Sequence, residues 1–259
     1  GAGVEIGDAH RSQRQDAFTL ERETLAARGQ HGDPRTCPHQ AIDDVAHRED
    51  LSTFVERTLR LDEASVIRLR ERAGGYIVAW AATGFDVLAS RVVGGRVRPA
   101  DLSVGADALG RALPSMDRSG FVDPGFAMDS AWRGALPPDT GFVHLDDVPA
   151  RVVLDLAQRG VALAKEHSSA HGPPASLLDQ EVVAVSSGEA GVGVPMRCVF
   201  ALTAMGFLPQ ATNIGDEFAP ESVAADEVVR VRVHPAWLRI DARFGTVFRR
   251  RGNPALVLR

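Results

Sequence analysis

From residue 50 onward the apolar positions change period several times, and each change predicts a new element. Leu51, Phe54, Val55 and Leu59 fall three and four apart, so Asp50 or Ser52 to Arg60 reads as a short amphipathic helix. The period then drops to two. Ser65–Arg72, Tyr76–Ala82 and Phe85–Val93 read as strands joined by Gly74-Gly75 and Thr83-Gly84, an antiparallel meander. Tyr76, Val78 and Trp80 share one face of the middle strand, and Ile77, Ala79 and Ala81 share the other. A strand apolar on both faces is expected to be central. Leu102, Ala106, Leu109 and Leu113 restore a helical stripe and predict one helix over Asp101–Leu113.

Residues 114–141 are rich in Pro, Gly, Ser and Asp and read as a surface crossing or linker, anchored by Trp132. A helix follows, with Asp146 or Asp147 as its cap, Pro149 in its first turn, and Val152, Val153, Leu156, Val161 and Leu163 as its buried face. Ala175–Gln180 adds a helical turn, Glu181–Ser187 a strand, and Val194–Leu208 a helix carrying Met196, Val199, Phe200 and Met205. After an acidic loop over 209–227, Val228–His234, Trp237–Arg243 and Thr246–Arg250 alternate as a second meander.

The expected fold is therefore α+β, with two small antiparallel β-meanders each packed with helices. The meanders open alike, Val-Ile-Arg-Leu-Arg against Val-Val-Arg-Val-Arg, as copies of one duplicated unit would; any half-buried meander also alternates this way. The expected organisation is a polar arm over 1–49, a first α/β unit over 50–113, the crossing over 114–141, and a second unit over 142–259. Within the arm, Gln13–Arg28 has a helical pattern and Ala41–Arg48 a shorter one.

Composition narrows the class. Hydrophobic residues make up 44% of the chain, enough for a core, and no apolar run approaches the ~20 residues of a membrane helix. The N-terminal residues lack the apolar core of a secretory signal. Two cysteines are too few for a disulfide framework: Cys37 sits in a polar stretch and Cys198 in an apolar one, which suits free thiols in a reducing cytoplasm. The net charge of −5 disfavours non-specific binding to nucleic acid. It is unevenly spread, however: residues 101–147 hold eight Asp against three Arg, and residues 226–259 hold eight Arg against three acids. Lys165 is the sole lysine.

Candidate chemistry is sparse. His167 and His171 stand four apart, as helical metal ligands do, though histidines also suit a polar helix C-terminus. Cys37 and His39, flanked by His31 and His47, hold zinc-ligand residue types without a standard spacing. Gly188 to Gly193 clusters three glycines between a strand and a helix. It lacks the Lys-Ser/Thr of a phosphate loop and reads as a turn. Arg230, Arg232, Arg239, Arg249, Arg250 and Arg251 could meet phosphates, and the order of helices followed by a basic hairpin resembles a winged helix. Alternation with Val229, Val231 and Val233 equally suits a solvated sheet face.

WRGALPPDTGFVHLDDVPARVVLDLAQRGVALAKE, VPMRCVFALTAMGFLPQ and the terminal VRVRVHPAWLRIDARFGTVFRRRG resemble a group of proteins from GC-rich actinobacteria without an assigned activity, over roughly residues 50–258. The resemblance implies a compartment and little chemistry. The sequence thus favours a non-enzymatic cytoplasmic binding or scaffold protein, without cofactor or membrane contact, that self-associates through a sheet edge or the arm. Nucleic-acid binding through the C-terminal half and a metal-dependent reaction are the alternatives.

Overall fold

A computed structural model describes residues 3–6, 45–116, 120–167, 173–214 and 217–252. Two compact units emerge, each holding the described residues of its segments: the first takes Gly1–Glu56, Ala64–Ala79 and Val92–Trp132, the second Arg57–Glu63, Trp80–Arg91 and Arg133–Arg259. The fold is mixed α/β, and its sheet pairings are antiparallel.

The elements run β1 (Gly3–Ile6), α1 (Val45–Leu61), β2 (Val66–Arg72), β3 (Tyr76–Ala82), β4 (Leu88–Arg98), β5 (Asp101–Gly105), α2 (Ala106–Ala112) and β6 (Phe121–Val122). After these come β7 (Val143–Pro149), α3 (Ala150–His167), α4 (Ala175–Leu178), β8 (Glu181–Ser187), β9 (Ala190–Pro195), α5 (Met196–Ala204), β10 (Thr212–Ile214) and β11 (Glu217–Ala219). The last three strands are β12 (Val228–His234), β13 (Trp237–Ala242) and β14 (Gly245–Arg250). The two helical patterns read at 41–48 and 50–60 form one helix over their described part, α1.

In the first unit the strands lie in the order β5-β2-β3-β4, and β1 pairs with both β4 and β6. As expected of a strand apolar on both faces, β3 lies between two neighbours, and Ile77 and Ala79 are fully buried. Leu51, Phe54 and Val55 of α1 bury with Ile67, Leu69, Val97 and Leu102, a core of aliphatic side chains around one ring. The helix predicted over 101–113 is instead a strand, then a helix. Leu102 and Val104 alternate against Leu69 and Ile67 of β2, and helical geometry begins only at Ala106. The predicted crossing over 114–141 contains β6 and a 3-10 turn at Asp129–Ala131. Asp129 Oδ1 accepts from the Ser103 N–H at 2.7 Å, which fastens this turn to β5.

In the second unit the order is β4-β14-β13-β12-β7, with β8 and β9 as a separate hairpin. The helix expected to start under an Asp146 or Asp147 cap begins later, because both aspartates lie on β7 and the strand runs directly into α3 at Ala150. The same junction occurs three times. Strand β5 continues into α2, β7 into α3 and β9 into α5, with Gly105, Pro149 and Pro195 as the last strand residues. These residues offer no side-chain cap. The first helical N–H is satisfied across the ladder instead: Ala106 donates to the Ser65 carbonyl at 2.9 Å, Ala150 to Glu227 at 2.8 Å and Met196 to Gln180 at 2.8 Å. Each acceptor is the residue just before the partner strand.

Helix α5 is buried from Met196 through Leu202. Its C-terminus closes as a Schellman turn: Gly206 takes φ +67°, its N–H donates to Thr203, and Phe207 N–H donates to Leu202. The turn delivers the fully buried Phe207 ring onto Gly245 of β14, where a Cβ would stand 2.4 Å from the ring. Gly245→Ala should therefore cost about 1–3 kcal/mol of stability in a denaturant melt. Gly84→Ala, whose added carbon meets nothing within 4 Å, should leave the melt almost unchanged.

In the first unit, Arg68 grips the Asp101 carboxylate through both Nε and Nη2, at 2.6 and 2.7 Å. That bond holds the Asp101 carboxyl below its ordinary range. A carboxylate with a depressed folded-state pKa stabilises the fold above its unfolded value, and that stabilisation is lost as pH falls through the folded value. Asp101→Asn should flatten the decline of the urea midpoint below about pH 4.

Candidate functional site

Alternation along the strands of the second unit separates two faces. Val229 and Val231 of β12, Leu238 and Ile240 of β13 and Val247 of β14 point one way and are buried. This inner face meets Val153 of α3 and Val199 and Leu202 of α5 around a small void that Val148, Val183 and Val194 also line. The outer face carries Arg230, Arg232 and His234, then Trp237, Arg239 and Asp241, then Thr246, Phe248 and Arg250.

The outer face is organised around Asp241. Arg239 Nε donates to Asp241 Oδ1 at 2.7 Å, the Thr246 hydroxyl donates to the same oxygen at 2.8 Å, and Arg232 Nε lies 3.3 Å from Oδ2. The Arg239 guanidinium also sits 5.6 Å from the ring centroids of both Phe142 and Phe248, within cation–π range. His234 packs on Phe142 at 5.5 Å, and Trp80 on Phe248 at 5.2 Å. At the β7 edge, His144 Nε2 lies 2.8 Å from Asp147 Oδ1, and Arg230 Nε lies 4.0 Å from the same atom.

The six arginines singled out in the sequence do not converge. Arg230, Arg232, Arg239 and Arg250 share the outer face. Arg249 faces the other way, where its Nη2 reaches Asp179 at 3.2 Å. Arg251 lies past the end of β14 and donates to the His234 carbonyl at 3.3 Å. Asp179 also accepts from the buried Arg197, at 2.5 and 3.0 Å, while Arg197 Nη1 donates to the Phe85 carbonyl at 2.7 Å. This second cluster ties the first turn of α5 to the loop before β4. Phe142, Asp179, Arg197 and Asp241 are not among the residues that stand out in the sequence. Only Asp241 carried a signal, two residues from Arg239 and hence on its face.

Of the metal candidates, Cys37, His39 and His171 lie outside the described residues. His167 is the last residue of α3, and its side chain is not described. Among the described residues no group of three or more His, Cys, Asp or Glu is placed to hold a metal. The glycine cluster at 188–193 forms the β8–β9 hairpin, with Ser187 opposite Ala190 and Gly188 at φ +59°. That hairpin stands between α3 and α5, and α4 has only four residues. No described helix is long and apolar enough to cross a membrane.

Residues 137–254 match the domain of unknown function DUF8185, and residues 38–134 match the domain of unknown function DUF8010. No curated protein matches the chain. Among solved structures, pol III beta of Caulobacter crescentus is 12% identical, with a TM-score of 0.49 over 82% of this chain and 67% of that one. The DNA polymerase III beta subunit of Thermotoga maritima is 9% identical, with a TM-score of 0.47 over 80% and 63%. The DNA polymerase sliding clamp of Pseudomonas aeruginosa is 11% identical, with a TM-score of 0.44 over 82% and 66%. This chain therefore spans slightly under two thirds of the latter two.

Cys198 is fully buried, and desolvation pushes its thiol up to about 12. It stays protonated at neutral pH and serves as a small core side chain. Iodoacetamide at pH 8 should leave the Cys198 peptide unmodified in the native protein, and alkylate it fully in urea, as read by peptide mass spectrometry.

Proposed function

We propose that the chain is a non-enzymatic binding or scaffold protein of the cytoplasm that associates with itself, and that α3 supplies the contact. The observation that carries this reading is a departure from the sequence expectation. Val152 and Leu163, expected in the buried face of α3, are 41% and 43% exposed, and Val161, half a turn away on the other side of the helix, is 44% exposed. The helix buries Val153 as expected, together with Ala150, Leu154, Ala157 and Gly160. A Cβ at Gly160 would stand 2.8 Å from Met196 Sδ and 2.9 Å from Phe200, so the absence of a side chain lets α5 approach α3 closely.

Val152, the half-buried Leu156 and Leu163 fall at i, i+4 and i+11, along one side of α3. Exposed apolar residues grouped on one helix side mark an interaction surface more than scattered ones do. Two copies of α3 packed antiparallel about a two-fold axis would set Val152 against Leu163 of the second copy. The same register brings Arg151 of each helix near Glu166 of the other, so charge and apolar pattern favour one register.

We further read the two units as descendants of one α/β unit. The repeated strand-to-helix junction and the Val-Ile-Arg-Leu-Arg and Val-Val-Arg-Val-Arg strand openings support that descent.

Native mass spectrometry at micromolar concentration should give a homodimer. Val152→Glu with Leu163→Glu, both at exposed positions, should return it to a monomer that keeps its far-UV circular dichroism spectrum. A monomeric wild-type protein would overturn the reading.

A further inference from the structure

The outer face of β12, β13 and β14 has a chemistry that the α3 contact does not use. On a protein of net charge −5, four arginines, Arg230, Arg232, Arg239 and Arg250, share this face with two carboxylates, Asp241 and, from neighbouring β7, Asp147. The imidazoles of His144 and His234 add further donors. Arg230 and Arg250 are exposed and lie at opposite ends of the face. Arg230 is opposite Asp241 and Arg250 opposite Trp237, so they are separated by two strand spacings and four residues of rise, about 16 Å. Between them Arg239 is spread over Phe142 and Phe248, with His234 against Phe142. Phe248 is buried beneath this stack, while Arg239, Phe142 and His234 stay partly exposed. A sheet surface with cations at its margins and a part-exposed guanidinium–aromatic stack at its centre can hold phosphates and unpaired bases together.

We propose that this face binds single-stranded nucleic acid, with backbone phosphates at Arg230 and Arg250 and a base stacked on the Arg239–Phe142–His234 platform. A single strand fits better than a duplex. Among the described residues, α3 and α5 of this unit pack on the inner face, through Val153, Val199 and Leu202, and so are not placed to enter a groove from the outer face. Stacking on a flat platform requires bases that are already splayed. Asp147 and Asp241 reduce the affinity by competing for the same cations.

The test uses the full chain and fluorescence anisotropy with labelled oligo-dT, oligo-U and a duplex of equal length, titrated across salt. Single strands of either sugar should bind at low salt, with log K falling against log salt at a slope of at least roughly −1.4, the value for the two phosphates held by Arg230 and Arg250. Arg230→Ala with Arg250→Ala should remove roughly 1.4 of that slope. Asp147→Asn, at an exposed position, should raise affinity roughly two- to fivefold. Arg239→Lys keeps the charge and loses the plane, so it should weaken binding while leaving the slope unchanged. Absence of binding at low salt, a duplex bound as tightly as the single strands, or an Asp147→Asn protein of unchanged affinity would each overturn the proposal. None of these outcomes depends on association through α3, which packs on the opposite face of the sheet.

Discussion

The backbone bond at the strand-to-helix junction is the constraint from which the arrangement of helices follows. A helix that begins without a loop inherits its direction from the strand before it. Its first N–H has no intrahelical partner, and the two prolines and one glycine ahead of the three helices cannot supply a side-chain cap. The carbonyl preceding the neighbouring strand fills that role each time. Because the acceptor belongs to the antiparallel partner, the helix start and the strand register fix each other. A slip of one residue would strand the N–H and also turn each side chain of the strand to the wrong face.

Close packing then decides which glycines are needed. Helix α5 is buried along most of its length, so it must be approached closely on more than one side. Gly160 provides the approach from α3, and Gly245 receives the Phe207 ring that follows α5. At its first turn α5 is held by charge instead, through Arg197, Asp179 and the Phe85 carbonyl. Such a pair contributes modestly to net stability, because burial of the guanidinium offsets much of the attraction. Its geometric effect is to fix α5 against the loop before β4.

Much of the strand content was legible because alternation survives in sequence. The doubly apolar β3 and the Val-X-Val rhythm of β12 are read directly from residues 76–82 and 228–233. Leu102 misled because it belongs to two periods at once, i and i+2 with Val104 and i and i+7 with Leu109. The pairing of β5 with β2 over five residues, which no local pattern contains, settles the choice. Asp146 and Asp147 looked like caps because carboxylates before a helix usually are; here the cap comes from Glu227, eighty residues away. Val152, Val161 and Leu163 read as core because apolar residues at helical spacing usually are buried. Their exposure depends on where α5 and the sheet lie, and so is a tertiary fact. For the outer face, the sequence supplied the arginines without their partners. Asp241 could be placed beside Arg239 by alternation, but Asp147 arrives on β7 and Phe142 just ahead of it, far along the chain.

The single lysine of the chain, Lys165, lies exposed near the end of α3, two residues from Leu163. Amine-directed chemistry on side chains is therefore addressed to one spot. A surface that elsewhere displays its positive charge as guanidinium is silent to acylating reagents. A bifunctional amine reagent that linked two copies through their side chains could do so only by bringing two α3 C-terminal ends within the span of its spacer.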